Sequence, residues 1–106
     1  MTSNNEMTKK LDRVIGDIVA HVREKPYYDC RTLFATSEDV VWELVYSDDC
    51  TDEMPHCIKV VKWLDGVPMT IVGFGTEYCF TKDHEAIDDN FDSLKARMFN
   101  FFWDEV

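Results

Sequence analysis

Two β-branched, apolar runs, Cys57–Leu64 and Val67–Phe74, are separated by only Asp65-Gly66, and nothing else in the chain constrains its fold as tightly. A two-residue loop closes an antiparallel hairpin through a turn whose central residues take positive φ, which glycine does without steric cost. The loop also sets register. Leu64 is expected opposite Val67, Lys62 opposite Met69, Val60 opposite Ile71 and Ile58 opposite Gly73, on one face that builds the core. Lys59, Val61, Trp63, Thr70, Val72 and Phe74 then form a second, more mixed face with partial cover. Pro68 has no N–H to give to a ladder, so it calls for a bulge, an edge strand or an outward-facing donor position.

The flanking segments fit around this hairpin. Met7, Leu11, Val14, Ile15, Ile18, Val19 and Val22 recur at helical spacing and predict an amphipathic helix over roughly residues 4–24. Ser3 and Glu6 have the spacing of a capping box at its start, and Pro26 ends it near Glu24. Arg31–Ala35 and Val40–Tyr46 read as two further strands joined by a turn at Thr36–Asp39, although Val40, Val41, Leu44 and Val45 also satisfy a helical repeat. Ile87, Phe91, Leu94, Met98, Phe101 and Phe102 predict a second helix from about Asp83 to Trp103. Its early acidic residues and later Lys95 and Arg97 match the helix dipole. The expected fold is a single α+β domain over residues 1–106. An N-terminal helix, a three- to four-stranded antiparallel β-meander and a C-terminal helix succeed one another, with both helices on one face of the sheet.

At 106 residues, 45% hydrophobic, the chain is long enough for one core and too apolar for disorder. No run approaches the length of a membrane span, and residues 1–10 carry no apolar stretch of signal-peptide length, so a cytoplasmic protein is expected. In that compartment Cys30, Cys50, Cys57 and Cys79 are expected as free thiols, with Cys57 and Cys79 acting as small buried hydrophobes. No C-x-x-C pair and no calcium-loop spacing occurs, and neither a metal nor a cofactor is expected. Phosphate-loop, dinucleotide, nucleophile-elbow and zinc-protease motifs are absent too, and no local signature joins His21, His56 or His84 to a nucleophile. The residues point to binding and not to catalysis.

Charge is the informative feature. The chain carries a net charge of −10, which excludes direct binding to nucleic acid or to an anionic membrane. Residues 1–31 hold six basic and five acidic side chains, whereas residues 32–106 hold five basic and sixteen acidic ones. Glu38, Asp39, Glu43, Asp48, Asp49, Asp52 and Glu53 form one run without Lys or Arg, and Asp83, Glu85, Asp88, Asp89 and Asp92 form another. Repulsion at this density destabilises a fold, and solubility requires far less of it. These twelve carboxylates are the expected partner-binding surface, and Trp42, Tyr46 and Trp103 are candidate aromatic anchors beside them. The expected partner is a basic protein, a nuclease or another nucleic-acid-binding protein, met by charge that imitates DNA. Phage anti-defence proteins, the anti-restriction and anti-CRISPR inhibitors, work in this way. An immunity protein against a toxin nuclease and an acidic secretion chaperone are the alternatives, and a homodimer is left open.

Overall fold

In the computed structural model, which describes residues 4–47 and 56–105, the order is helix, four strands, a 3-10 turn and helix. Helix α1 spans Asn4–Glu24. Strands β1 (Cys30–Ala35), β2 (Val40–Ser47), β3 (Cys57–Leu64) and β4 (Val67–Gly75) form one antiparallel sheet in the order β1-β2-β3-β4. Helix α2 spans Asp88–Glu105. This is the expected α+β meander, and Val40–Tyr46 is strand. Ser3, with its proposed capping role, lies outside the described residues, as do Asp48, Asp49, Cys50, Asp52 and Glu53.

The hairpin closes as its sequence demands, with Asp65 at φ 51° and Gly66 at φ 80°. Leu64 pairs with Val67 and Lys62 with Met69, as expected. Beyond them the register departs from expectation. Val61 pairs with Thr70 and Val60 with Val72, so Ile71 is an extra residue on β4, and Ile58 meets Phe74 instead of Gly73. A bulge of this kind reverses the facing of every residue after it. The reversal sends Phe74, 6% exposed, into the core where unbroken alternation would have put Gly73, and leaves Ile71 40% exposed. Pro68 sits opposite Trp63 on an edge strand, where its missing donor costs no ladder bond.

Both helices cover one face. Leu11, Val14, Ile15, Ile18, Val19 and Val22 of α1 and Phe91, Leu94, Met98 and Phe102 of α2 join Phe34, Trp42, Leu44, Tyr46, Ile58, Val60 and Phe74 of the sheet in one buried cluster. The last turn of α2 is pinned by rings: Phe102 lies 5.3 Å from Phe34 and 5.4 Å from Trp42, and Phe101 lies 5.9 Å from Phe74, all edge-on. Edge-to-face rings add about 0.5–1.5 kcal/mol per pair beyond the area they bury. The Tyr46 hydroxyl donates to the Pro26 carbonyl at 2.7 Å and ties the end of α1 to β2.

Helix α2 starts at Asp88 and not at Asp83. Residues 81–85 close on themselves: the Thr81 hydroxyl accepts N–H bonds from Asp83 and Glu85, and His84 sits at φ 64°. Phe80 and Ala86 form a β-bridge, and Ile87 donates to the Cys79 carbonyl at 2.8 Å. Local hydroxyl-to-backbone bonding thus outcompetes the first helical turn.

The ring cluster is expected to dominate stability. Phe102→Ala should cost roughly 3–5 kcal/mol in chemical denaturation, whereas Trp103→Ala, which removes a half-exposed ring stacked on Phe99, should cost no more than about 1.5 kcal/mol.

Candidate functional site: the open face of the sheet

Because α1 and α2 share one face, no helix among the described residues lies over the other face. Antiparallel pairing lines its residues up in rows. Arg31 stands opposite Val45, Leu33 opposite Glu43, and Ala35 opposite Val41. Val45, Glu43 and Val41 in turn face Lys59, Val61 and Trp63 on β3. Aliphatic and indole surface therefore runs across three strands.

Glu43 lies in the middle of this face. Its side chain is only 8% exposed, and it is held in an ion pair with the Arg31 guanidinium. The Trp63 indole N–H also donates to it, at 3.3 Å. A carboxylate removed from water persists only where charge and donors compensate it, and here one residue from each neighbouring strand does so. Glu43, expected from the sequence on the partner surface, is thus buried on the open face as the counter-charge of Arg31 and the acceptor of the Trp63 N–H.

The remaining carboxylates divide between two ends of the molecule. At one end the β1–β2 and β3–β4 turns abut, with the Asp65 N–H donating to the Asp39 carbonyl at 3.0 Å. Glu38, Asp39 and Asp65 are exposed there and form no ion pair with any described residue. Together with Arg31, Leu33, Val41 and Trp63 they line a hollow of about 520 Å³.

The second group begins at the far end of the sheet, since β4 runs its whole length away from the turns before residues 76–92 follow. Strands of this length reach roughly 26 Å at the usual rise per residue. Asp83 and Glu85 lie on the Thr81 turn, and Asp88 and Asp89 on the first turn of α2, where the dipole favours them. Asp88 is ion-paired with Arg23, and Asp92 lies 3.8 Å from Lys95. Glu38 and Asp39 are therefore not brought together with the Asp83–Asp92 run.

The aromatic candidates separate just as clearly. Trp42 and Tyr46 are buried in the core, and Trp103 is 47% exposed. The Lys62 ammonium lies 5.3 Å from the Trp42 ring centroid, and the Trp42 indole N–H is buried without a hydrogen-bond partner. Trp63, which sequence reasoning placed on the mixed face without a role, is the indole lining the acidic hollow. Asp65, expected from the sequence only to form the turn, is one of the exposed carboxylates lining the same hollow. The signal for both was present in the hairpin, because Trp63, two residues before the tight turn, and the turn itself must share one end of the sheet.

His56 and His84, both at positive φ (55° and 64°), border a second cleft with Tyr27, Tyr46 and Thr81, and the Tyr27 and His84 ring centres are 6.2 Å apart. His21 is hydrogen-bonded to the Tyr28 carbonyl at 2.9 Å. Cys57 and Cys79 are fully buried, and Cys79 is a free thiol. Burial pushes the Cys79 thiol above its ordinary value, against the weaker pull of Tyr78 and Arg97. Burial likewise raises the Cys30 thiol, against an opposing backbone N–H from Arg31 and with a small push from Asp17. Thiols held protonated in this way are poor nucleophiles. Among the described residues no three His, Cys, Asp or Glu side chains come together to hold a metal ion, and no helix is long and apolar enough to cross a membrane.

Searches against protein families, curated proteins and solved structures find no match for this chain.

The internal ion pair is open to a double-mutant test. Arg31→Met should cost roughly 1–3 kcal/mol, because it leaves the Glu43 carboxylate buried with a single donor. Arg31→Met combined with Glu43→Gln should cost less than the two separate changes together, measured as unfolding free energies in urea.

Proposed function

We propose that this protein is a small acidic inhibitor that binds a basic, nucleic-acid-handling protein and occupies its nucleic-acid groove by imitating polyanion charge. The observation that carries this reading is the disposition of Glu38, Asp39 and Asp65: three exposed carboxylates without ion-pair partners among the described residues, beside an apolar sheet face that no described helix covers. Carboxylates left without internal partners keep their charge available to a partner, and like charges gathered at one end lower stability unless something outside the chain meets them.

The Asp83, Glu85 and Asp89 side chains add charge at the other end, so an elongated basic groove has contacts along the length of the molecule. Duplex DNA carries one charge per ~1.7 Å of axis, and a groove built for it has cations spaced to meet such a row. Binding of this kind is steered by long-range attraction and weakens with salt. The expected role is that of an anti-defence inhibitor of a nuclease or another nucleic-acid-binding protein.

The test uses the full chain as bait at low salt. Each captured nucleic-acid-binding protein is purified and loaded with labelled DNA or RNA, and this protein is titrated in while fluorescence anisotropy is followed. Displacement of the nucleic acid, with an apparent affinity that falls steeply as salt rises, is the expected result. A stable ternary complex that retains all the nucleic acid would refute groove occupancy.

A further inference from the structure

We propose that the hollow on the open sheet face is a socket for an arginine side chain of the partner, presented on a basic segment; this rests on the reading of the protein as a binder of basic protein. Three features of the hollow select that occupant. Leu33 and Val41 provide aliphatic walls that suit the methylene stem of a long cationic side chain. Trp63 provides an indole whose N–H is already committed to Glu43, so its ring orientation is set before any partner arrives. A guanidinium lying on an indole face is stabilised by the ring quadrupole, and arginine does this more often than lysine. Glu38, Asp39 and Asp65 line the same hollow, where the planar fork of a guanidinium can meet carboxylate oxygens in pairs.

Arg31 lines the same hollow and would repel a cation, but its charge is neutralised by Glu43 through their ion pair. Arg31 is therefore offset by Glu43, and Glu38, Asp39 and Asp65 leave the hollow anionic. Net charge argues against a second copy of this chain as the occupant. Each chain carries a net charge of −10, so two copies repel one another.

The experiment binds a fluorescein-labelled, arginine-rich Gly/Ser peptide to the full protein at low salt, beside its lysine counterpart and its uncharged citrulline counterpart. The arginine peptide should bind best, the lysine peptide more weakly, and the citrulline peptide not at all. The indole N–H resonance of Trp63, assigned by its loss in Trp63→Phe, should shift on titration. Glu38→Gln/Asp39→Asn/Asp65→Asn should weaken the arginine peptide about tenfold, the loss of a paired charge-assisted contact. Asparagine tolerates the left-handed backbone at position 65, so the turn survives. At physiological ionic strength, where charge is screened beyond ~8 Å, Asp12→Asn/Asp17→Asn/Glu24→Gln removes as much charge from the exposed side of α1, across the sheet, and should change the affinity less than about twofold.

Equal losses in the two variants, or binding that leaves the Trp63 resonance unmoved, would overturn the socket while leaving recruitment by net charge intact. Failure of every basic peptide to bind would overturn both. Sedimentation showing a dimer that is broken by the substitutions at Glu38, Asp39 and Asp65 would assign the face to a second copy and overturn the proposal.

Discussion

The rings of Phe101 and Phe102 meeting Phe34, Trp42 and Phe74 determine which side of the sheet is the inside. Once α2 is seated on that side, α1 joins it there, because its own apolar stripe can be buried against both the sheet and α2. A four-stranded sheet with both helices on one face must present the other face to its surroundings. That consequence of packing leaves a face free for the proposed binding surface in a chain with room for only one core.

The open face is organised rather than merely left over. The Arg31–Glu43 pair and the Trp63 indole form a short polar network that crosses three strands, and it fixes the orientation of the aromatic surface beside the acidic turns. A partially buried pair of this kind adds little net stability, because desolvation offsets the attraction. Its contribution is positional: it neutralises Arg31 where a bare cation would weaken the field of Glu38, Asp39 and Asp65. Stability comes from one face of the sheet, and recognition is assigned to the other.

Most of the architecture was legible in the sequence, for identifiable reasons. Both helices announced themselves through apolar residues at helical spacing, and Asp65-Gly66 specified a turn that only a hairpin satisfies. The bulge at Ile71 was not legible, because Thr70, Ile71 and Val72 are all good strand formers and alternation alone does not mark the extra residue. It becomes intelligible once Phe74 is seen against Phe101. The start of α2 was misplaced because Asp83 and Glu85 resemble residues that favour a helix dipole, whereas the Thr81 hydroxyl bonds their N–H groups into a turn. The acidic runs were visible as composition, but their division between two ends and the burial of Glu43 depend on strand register and on partners from β1 and β3. No local pattern around residue 43 carries that information.

Hydrogen exchange of the free protein and of its complex with a captured nucleic-acid-binding protein tests the central claim most directly, that the uncovered sheet face and its acidic turns are the binding surface. The account predicts new protection in the 36–39 and 65–66 turns and along β1, with the amides of α1 unchanged. Protection confined to α1, or to the 81–85 turn and the start of α2, would contradict it.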